Sequence, residues 1–549
     1  VTRIGVLAGH CVAYTRHGDE NPEMAWRPLH FVIVAIYLAG LVLVGILSGR
    51  TKGDSNQYLN ATASMPLWAC ALACIAANCG SLDVVAMMAL GAQYGMAACH
   101  FYWIGAIPAL LVVAFWLLPT YRRSGAPTIL GFIAKHYGDE TRTLIALCMA
   151  AMMLLISGVS LCAFSQILAA FLGWTFPQAV LVAAPVVLFY TWTGGFRATV
   201  YSDLLHFTMV VVAVAPLLFL MIAERGGSGA FWASIPPSRL HAWKNLPLFA
   251  PGAPMDRFGL IVGLGFVLSF SYWGTDFVQM QRALAVRREE DGLYVPLSLG
   301  AAKLVFALLI VLPGVAAPMV LSHGGRAGNW NSTLPDLMFH YYSPFWLVIG
   351  FIGLAASLAS TFSNNVAGFT SAWVQGIYQQ WISPDGTDRH YTWVSRLTNA
   401  AAILLSIGAA NFALHFQSLM DYIQLVLATF NAPLFALVLL AVLAPRRAVA
   451  GGRIGFLAGL GVSIAHQILV LCGLLHYGSQ MAANFYGSTL GFTVALTCTL
   501  AVGLKDPKDM MESTAPVQRT AWKHPLAWPA VVAGTCIAAA CLVFTVIFW

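Results

Sequence analysis

Apolar runs of membrane-crossing length recur along the chain from Leu29 to Trp549, interrupted by charge clusters and Gly/Pro-rich turns. Splitting the sequence at those interruptions predicts fourteen helical spans, at 29–49, 66–95, 97–119, 143–172, 177–193, 203–223, 257–282, 295–321, 344–375, 394–416, 419–444, 454–476, 486–504 and 528–549. Runs this long with few charges read as helices crossing a bilayer, whereas a transmembrane barrel would show weakly alternating segments of about 10 residues. At about 20 residues per crossing, fourteen spans take up about 280 residues. No folded domain outside the membrane is therefore expected, and function is expected between helices.

Two of these spans break the pattern. The second carries Asn78-Cys79-Gly80-Ser81-Leu82-Asp83, and the seventh carries Ser269-Phe270-Ser271-Tyr272-Trp273-Gly274-Thr275-Asp276, so both place glycine and polar groups at membrane depth. They stand five spans apart, and an odd offset inverts one five-helix block relative to the other. Matched glycine-interrupted helices in inverted repeats point to a secondary transporter with its site near the midplane. A broken helix frees carbonyls for a cation and amides for a solute, which lipid penalises everywhere except in a lined cavity.

Composition agrees with this reading. Of 549 residues, 59% are hydrophobic and 9% charged, with a mean hydropathy of +0.77. A soluble protein carries about 25% charged residues. That deficit excludes a water-soluble enzyme, a nucleic-acid-binding domain and a disordered scaffold, and makes the lipid bilayer a partner. The net charge of +7 is read as topology. With the N-terminus outside, nineteen Lys and Arg residues fall in inside loops and eight outside, leaving Lys303 within a span. The positive-inside rule then favours both termini outside, in a multi-pass protein of the inner (plasma) membrane. Residues 1–26 form a polar tail of mixed charge without the apolar stretch of a signal peptide, and Met24 is a plausible start. The 11 cysteines form no CxxC pair, and none but Cys11 lies outside an apolar segment, so neither a disulfide framework nor a zinc site is indicated.

The stretch Tyr190-Thr191-Trp192-Thr193-Gly194-Gly195-Phe196-Arg197-Ala198-Thr199-Val200-Tyr201-Ser202-Asp203 resembles the signature of the sodium/solute symporter family at its fourth-to-fifth core helix. Tyr272-Trp273-Gly274-Thr275-Asp276, followed by Gln281-Arg282-Ala283-Leu284-Ala285, is similar to the sixth core helix of that family's sodium/glucose and sodium/galactose branch. Ser357-Leu358-Ala359-Ser360-Thr361-Phe362-Ser363-Asn364 leading to Phe369-Thr370 resembles the eighth, without the acidic residue that usually follows. The matches run in order from about residue 55 to 450.

The resemblance implies an all-α polytopic LeuT-type fold. One extra helix (29–49) precedes two inverted five-helix repeats (66–226 and 254–444), and three helices follow (454–549). It implies a sodium site from carbonyls of the first core helix and carbonyls and hydroxyls of the eighth, here Ala76, Cys79, Gly353, Ala356 and Ser357. The family usually has adjacent hydroxyls where this chain has Ala356 and Ser357. Sugar-contacting positions fall on Asn78, Asp83, Tyr102, Ser269, Lys303 and Gln424, with Tyr272 and its neighbour Trp273 as the aromatic platform. Lys303 and Gln424 keep the sugar-transporter residue, while Tyr102 replaces a common Glu. Asp203, at a helix entrance expected to be partly exposed, would take part in cation exit.

The residues leave alternatives open. Lys303 reads as a solute contact, a structural ion pair or a side chain reaching the interface; Asp83 reads as a ligand or as the cap of a helix restarting after Gly80. Asn78 would otherwise satisfy unwound backbone, and Gln424 would bond a neighbouring helix. Of 14 His, His100, His206, His415 and His466 lie in or near spans without pairing at metal-ligand spacing, so an embedded enzyme or haem protein is not expected. The expected function is sodium-driven symport of a sugar or related polyol, with no organic cofactor and no obligate protein partner. Proton coupling, a monocarboxylate, sialic-acid-like or amino-acid solute, and a sensor with a transporter fold are the alternatives.

Overall fold

The computed structural model describes residues 65–124, 129–193, 196–321, 329–443, 451–505 and 528–549, together with 32, 35–37 and 39; side chains at 189–201, 277–279, 281, 289, 388, 504 and 505 are not described. The tail 1–26 with Met24, most of the extra span and most side chains of the Tyr190–Ser202 motif lie outside this set.

Among the described residues the regular elements are helices, apart from one bridge between Met65 and Val286. Among the described residues eleven helices are long and apolar enough to cross a membrane, and Leu67–Asn78, Phe176–Leu188 and Gly259–Thr275 are shorter apolar helices. The second predicted span is α1 (Leu67–Asn78) and α2 (Ser81–Tyr94), separated at Cys79–Gly80. Then come α3 (Phe101–Arg123), α4 (Ile129–Leu172), α5 (Phe176–Thr193) and α6 (Phe196–Glu224). The seventh span is α7 (Gly259–Thr275) and α8 (Phe277–Leu284), parted at an extended Asp276. They are followed by α9 (Glu290–Met319) and α10 (Pro344–Ile382), α11 (Asp388–Ala413), α12 (Leu419–Leu443), α13 (Gly452–Leu471), α14 (Gln480–Lys505) and α15 (Trp528–Ile547).

Several boundaries differ from the pattern-based ones. The fourth span was expected at 143–172, yet α4 starts at Ile129 and turns at Gly138. The span pattern leaves Lys135 and Arg142 among the inside-loop charges, but Ile129, Leu130, Phe132 and Ile133 bury one face of a preceding helical stretch. The tenth begins at Asp388 rather than 394, because Thr387 caps it by accepting from the His390 amide at 3.3 Å. The seventh, by contrast, is parted at Asp276 within its Ser269–Asp276 stretch, as its interrupted pattern predicts.

Packing sorts the helices into groups. α4 and α6 lie against α10, with α11 against α4, while α1 packs on α9 and α6 and α2 packs on α9. α3 and α7 touch, and α12, α13 and α14 form a third cluster leaning on α7 through α14. At one end the two broken helices are joined by backbone: the Met65 amide donates to Ala285 O at 3.1 Å and the Arg287 amide to Met65 O at 2.9 Å. At the other end Arg239 closes the C-termini of α2 and α9, donating to Gly91 O (3.0 Å), Ala92 O (2.5 Å) and Val315 O (3.2 Å), where a cation meets the negative pole of each helix. Gly95 follows with φ +66°, and a Cβ there would lie 2.7 Å from Arg239 O, so no other residue fits this turn.

Candidate functional site

The gap between α1 and α2 is where backbone polarity becomes available. Cys79 still donates its amide to Ile75 O at 2.7 Å, and α2 restarts with the Val84 amide bonding Gly80 O at 3.1 Å. The Ser81 amide donates across the gap to Ser357 Oγ on α10 at 2.9 Å. Gly80 favours this close approach: a Cβ would sit 3.0 Å from Ser357 Oγ, 3.2 Å from Ala76 O and 3.6 Å from Thr361 Oγ1. Thr361 donates to Ser357 O at 2.9 Å. Ala76 O, the break and two hydroxyls of α10 therefore converge. Gly353, one turn before Ser357, presents its Cα to Met209 of α6, where a Cβ would lie 2.9 Å from the backbone oxygen, and Ala356 is half-buried. Such a set offers a small hard cation oxygen ligands.

Next to the break stands a buried charge pair. Lys303 of α9 is 2% exposed, and its Nζ donates to Asp83 Oδ2 at 3.0 Å and to Asn78 O at 3.4 Å. The Tyr102 hydroxyl donates to the same Asp83 oxygen at 2.7 Å. The ammonium lies 4.5 Å from the Tyr102 ring centroid and 5.9 Å from that of Trp273, so two aromatic faces add to its stabilisation. Asp83 is thus no helix cap: Gly80 occupies the N-cap position without a side-chain cap bond, because the carboxylate is drawn to the cation on α9.

Around this pair, Tyr272 and Trp273 meet edge to face at 4.9 Å between centroids. Ser269 packs tightly on α3, its Oγ 2.6 Å from where a Cβ on Gly105 would stand. Asn78 Nδ2 is buried without a hydrogen-bond partner, as is Gln424 Oε1 on α12, while Gln424 Nε2 bonds Met420 Sδ at 3.7 Å. The helices bring Asn78, Asp83, Tyr102 and Trp273 around Lys303; Gln424 stands on a separate helix wall, α12, which packs on α2 and α7. Unpartnered buried donors and acceptors are what a hydroxyl-rich ligand would complete.

Asp203 requires correction. It is not partly exposed but 4% exposed, accepting from Arg282 Nη2 at 2.8 Å and from Ser360 Oγ at 2.6 Å. Arg282, one of the nineteen charges assigned to inside loops, lies in α8 and is 2% exposed. A buried arginine must find an acid, and its place six residues after Asp276 in a largely apolar stretch was the available signal. Ser360 and Thr361 were missed as well, although Ser357, Ser360 and Thr361 repeat at helical spacing on one face.

Residues 58–459 match the sodium:solute symporter family. The chain is 24% identical over 475 residues to a sodium/glucose cotransporter of Vibrio parahaemolyticus, covering 82% of this chain and 87% of that protein. It is 26% identical to sodium/glucose cotransporter 4 of Mus musculus, over 82% of this chain and 70% of the relative. Among solved structures it is similar to a substrate-bound, outward-open Na+-coupled sialic acid symporter, with a TM-score of 0.72 and 17% identity over 87% of this chain and 98% of that one. At that identity the likeness is one of fold.

Proposed function

The chain belongs to the sodium:solute symporter family and is a sodium-coupled symporter; we propose that its solute is a sugar or related polyol, carried by alternating access. The observation that carries this reading is the self-neutralised cavity, in which Lys303 is ion-paired within the protein by Asp83. An anionic solute would need an uncompensated cation. A neutral polyol instead needs hydrogen-bond partners and an aromatic face, and Asn78, Asp83, Tyr102, Ser269, Lys303, Gln424, Tyr272 and Trp273 offer them. Sodium sits at the break, held by carbonyls of Ala76, Cys79, Gly353 and Ala356 and the Ser357 hydroxyl.

On this reading fourteen helices span the plasma membrane with both termini outside, and 66–226 and 254–444 are related by a two-fold axis in the membrane plane. The Met65–Ala285 end is then cytoplasmic and the Arg239 end external. One Na+ crossing 100 mV contributes about 2.3 kcal/mol, enough for more than tenfold accumulation. The test is uptake of labelled hexoses, polyols, monocarboxylates, sialic acids and amino acids by proteoliposomes with an imposed sodium gradient. Hexose uptake that collapses without sodium supports the proposal; accumulation of simple carboxylates or amino acids alone would refute the sugar assignment.

A further inference from the structure

Asp421 stands in the first turn of α12, 3% exposed, with Oδ1 enclosed and without a hydrogen-bond partner. Asp83, Asp203 and Asp256, by comparison, are compensated. Asp83 has Lys303 and Tyr102, Asp203 has Arg282 and Ser360, and Asp256 accepts from the Ala250 and Gly259 amides at 2.7 Å each and from Tyr486. Among the described residues no Lys, Arg or His stands within ion-pairing distance of Asp421.

The backbone of this turn, by contrast, is tied down. The Leu419 amide donates to Asn331 Oδ1 at 3.0 Å, the Met420 amide to Ser418 Oγ at 3.2 Å, and Asn484 Nδ2 to Asp421 O at 2.8 Å. The carboxyl is held in place while its charge goes unanswered.

An isolated buried carboxylate is costly, and proteins meet that cost with a proton or a cation. Sodium needs several converging hard oxygens; a proton needs one. The same helix offers a second orphan acceptor: Gln424 Oε1, buried and unpartnered, lies at i+3, a neighbouring position on a helix surface. Two acceptors without a donor lack one hydrogen between them.

The titratable groups on the helices packed against α12 do not supply it. On α2, the Tyr94 hydroxyl, itself buried and unpartnered, lies within electrostatic reach of Asp421 but forms no hydrogen bond with it, and Asp83 is engaged with Lys303. On α4, Cys162 faces Tyr422 instead. On α13, His466 bonds the Tyr477 hydroxyl at 2.9 Å; α14 contributes the neutral Asn484, and α7 carries Tyr272 beside Trp273.

We propose that Asp421 is a proton-binding site, its carboxyl proton donated to Gln424 at the mouth of the solute cavity. Rising pH removes that proton, leaves an anion one turn from Gln424 and withdraws Gln424 from solute hydroxyls, so that solute binding weakens. The link to solute rests on the proposed function; the proton itself does not.

The test is infrared spectroscopy of the purified full chain across a pH series, without solute or sodium gradient, on wild type, Asp421→Asn and Asp421→Glu. The expected result is a protonated-carboxyl C=O band at neutral pH that disappears at alkaline pH, is lost in Asp421→Asn and is displaced in Asp421→Glu, which keeps the measurement available should the first variant not fold. Identical wild-type and variant spectra in that region at every pH would overturn the proposal. So would a carboxylate band at Asp421 that shifts on adding sodium at constant pH, the signature of an ion ligand. Failure of hexose uptake would leave the band untouched, and absence of the band would leave hexose uptake untouched.

Discussion

Two aspartates in this protein answer buried cations, and they do so in different surroundings. Asp203 and Arg282 are both closed off, their side chains 4% and 3% exposed, with Ser360 occupying the second carboxylate oxygen. Asp83 retains 17% side-chain exposure against 2% for Lys303. Arg282 bridges α8 to α6 and, through the shared aspartate, to α10, whereas Lys303 bridges α9 to the restart of α2 under two aromatic rings. The first pair is a cross-brace whose partners are all protein. The second has a partly exposed carboxylate edge, which on the proposed function a solute hydroxyl meets. Burial alone does not separate structural from functional charge; the exposure of one partner does.

That contrast is most directly broken at the closed pair. Arg282→Gln leaves Asp203 buried without its cation, and the expected cost is about 3–5 kcal/mol, read as a large fall in the thermal unfolding temperature of the purified protein. Asp203→Asn combined with Arg282→Gln should recover most of it; a single variant as stable as wild type would remove the brace from this account. Lys303→Met should cost less stability, because water and solute reach the Asp83 edge. It should nonetheless weaken solute binding by roughly 1–3 kcal/mol, seen as a higher KM for hexose uptake, with equal loss of stability in both lysine and arginine variants erasing the distinction.

A smaller change tests the break itself. Ser357→Ala removes the acceptor of the Ser81 amide and a hydroxyl from the cation ligands, so the half-saturating sodium concentration should rise by roughly tenfold, equivalent to about 1.4 kcal/mol; an unchanged sodium response would move the ion elsewhere. The smallest effect belongs to Tyr102→Phe, which deletes one hydrogen bond to Asp83 while leaving Lys303 paired. A loss of about 1 kcal/mol in solute affinity, with unfolding nearly unaffected, would confirm that the open pair is tuned from the cavity side.

Membrane location, the helical architecture and the broken second helix were legible in the chain, because lipid admits only helices and closed barrels and penalises glycine and polar groups except at a site. The Asn78–Asp83 stretch marks its own break, and Lys303 marks itself by lying within an apolar run. Partnerships were not legible. Asp83 and Lys303 are 220 positions apart, and Asp203 and Arg282 are 79 apart, so composition and periodicity leave each charge with several possible answers. Asp203 read as an exposed entrance residue and Arg282 as a loop charge until the packing of α6, α8 and α10 closed around them. Asp421, three residues before the Gln424 singled out by resemblance, is set apart only by what the fold withholds from it. Local pattern determines which segments leave water, since that depends on each segment's own transfer energy. Which buried polar group is satisfied, and by what, depends on distances between helices that only the folded structure sets.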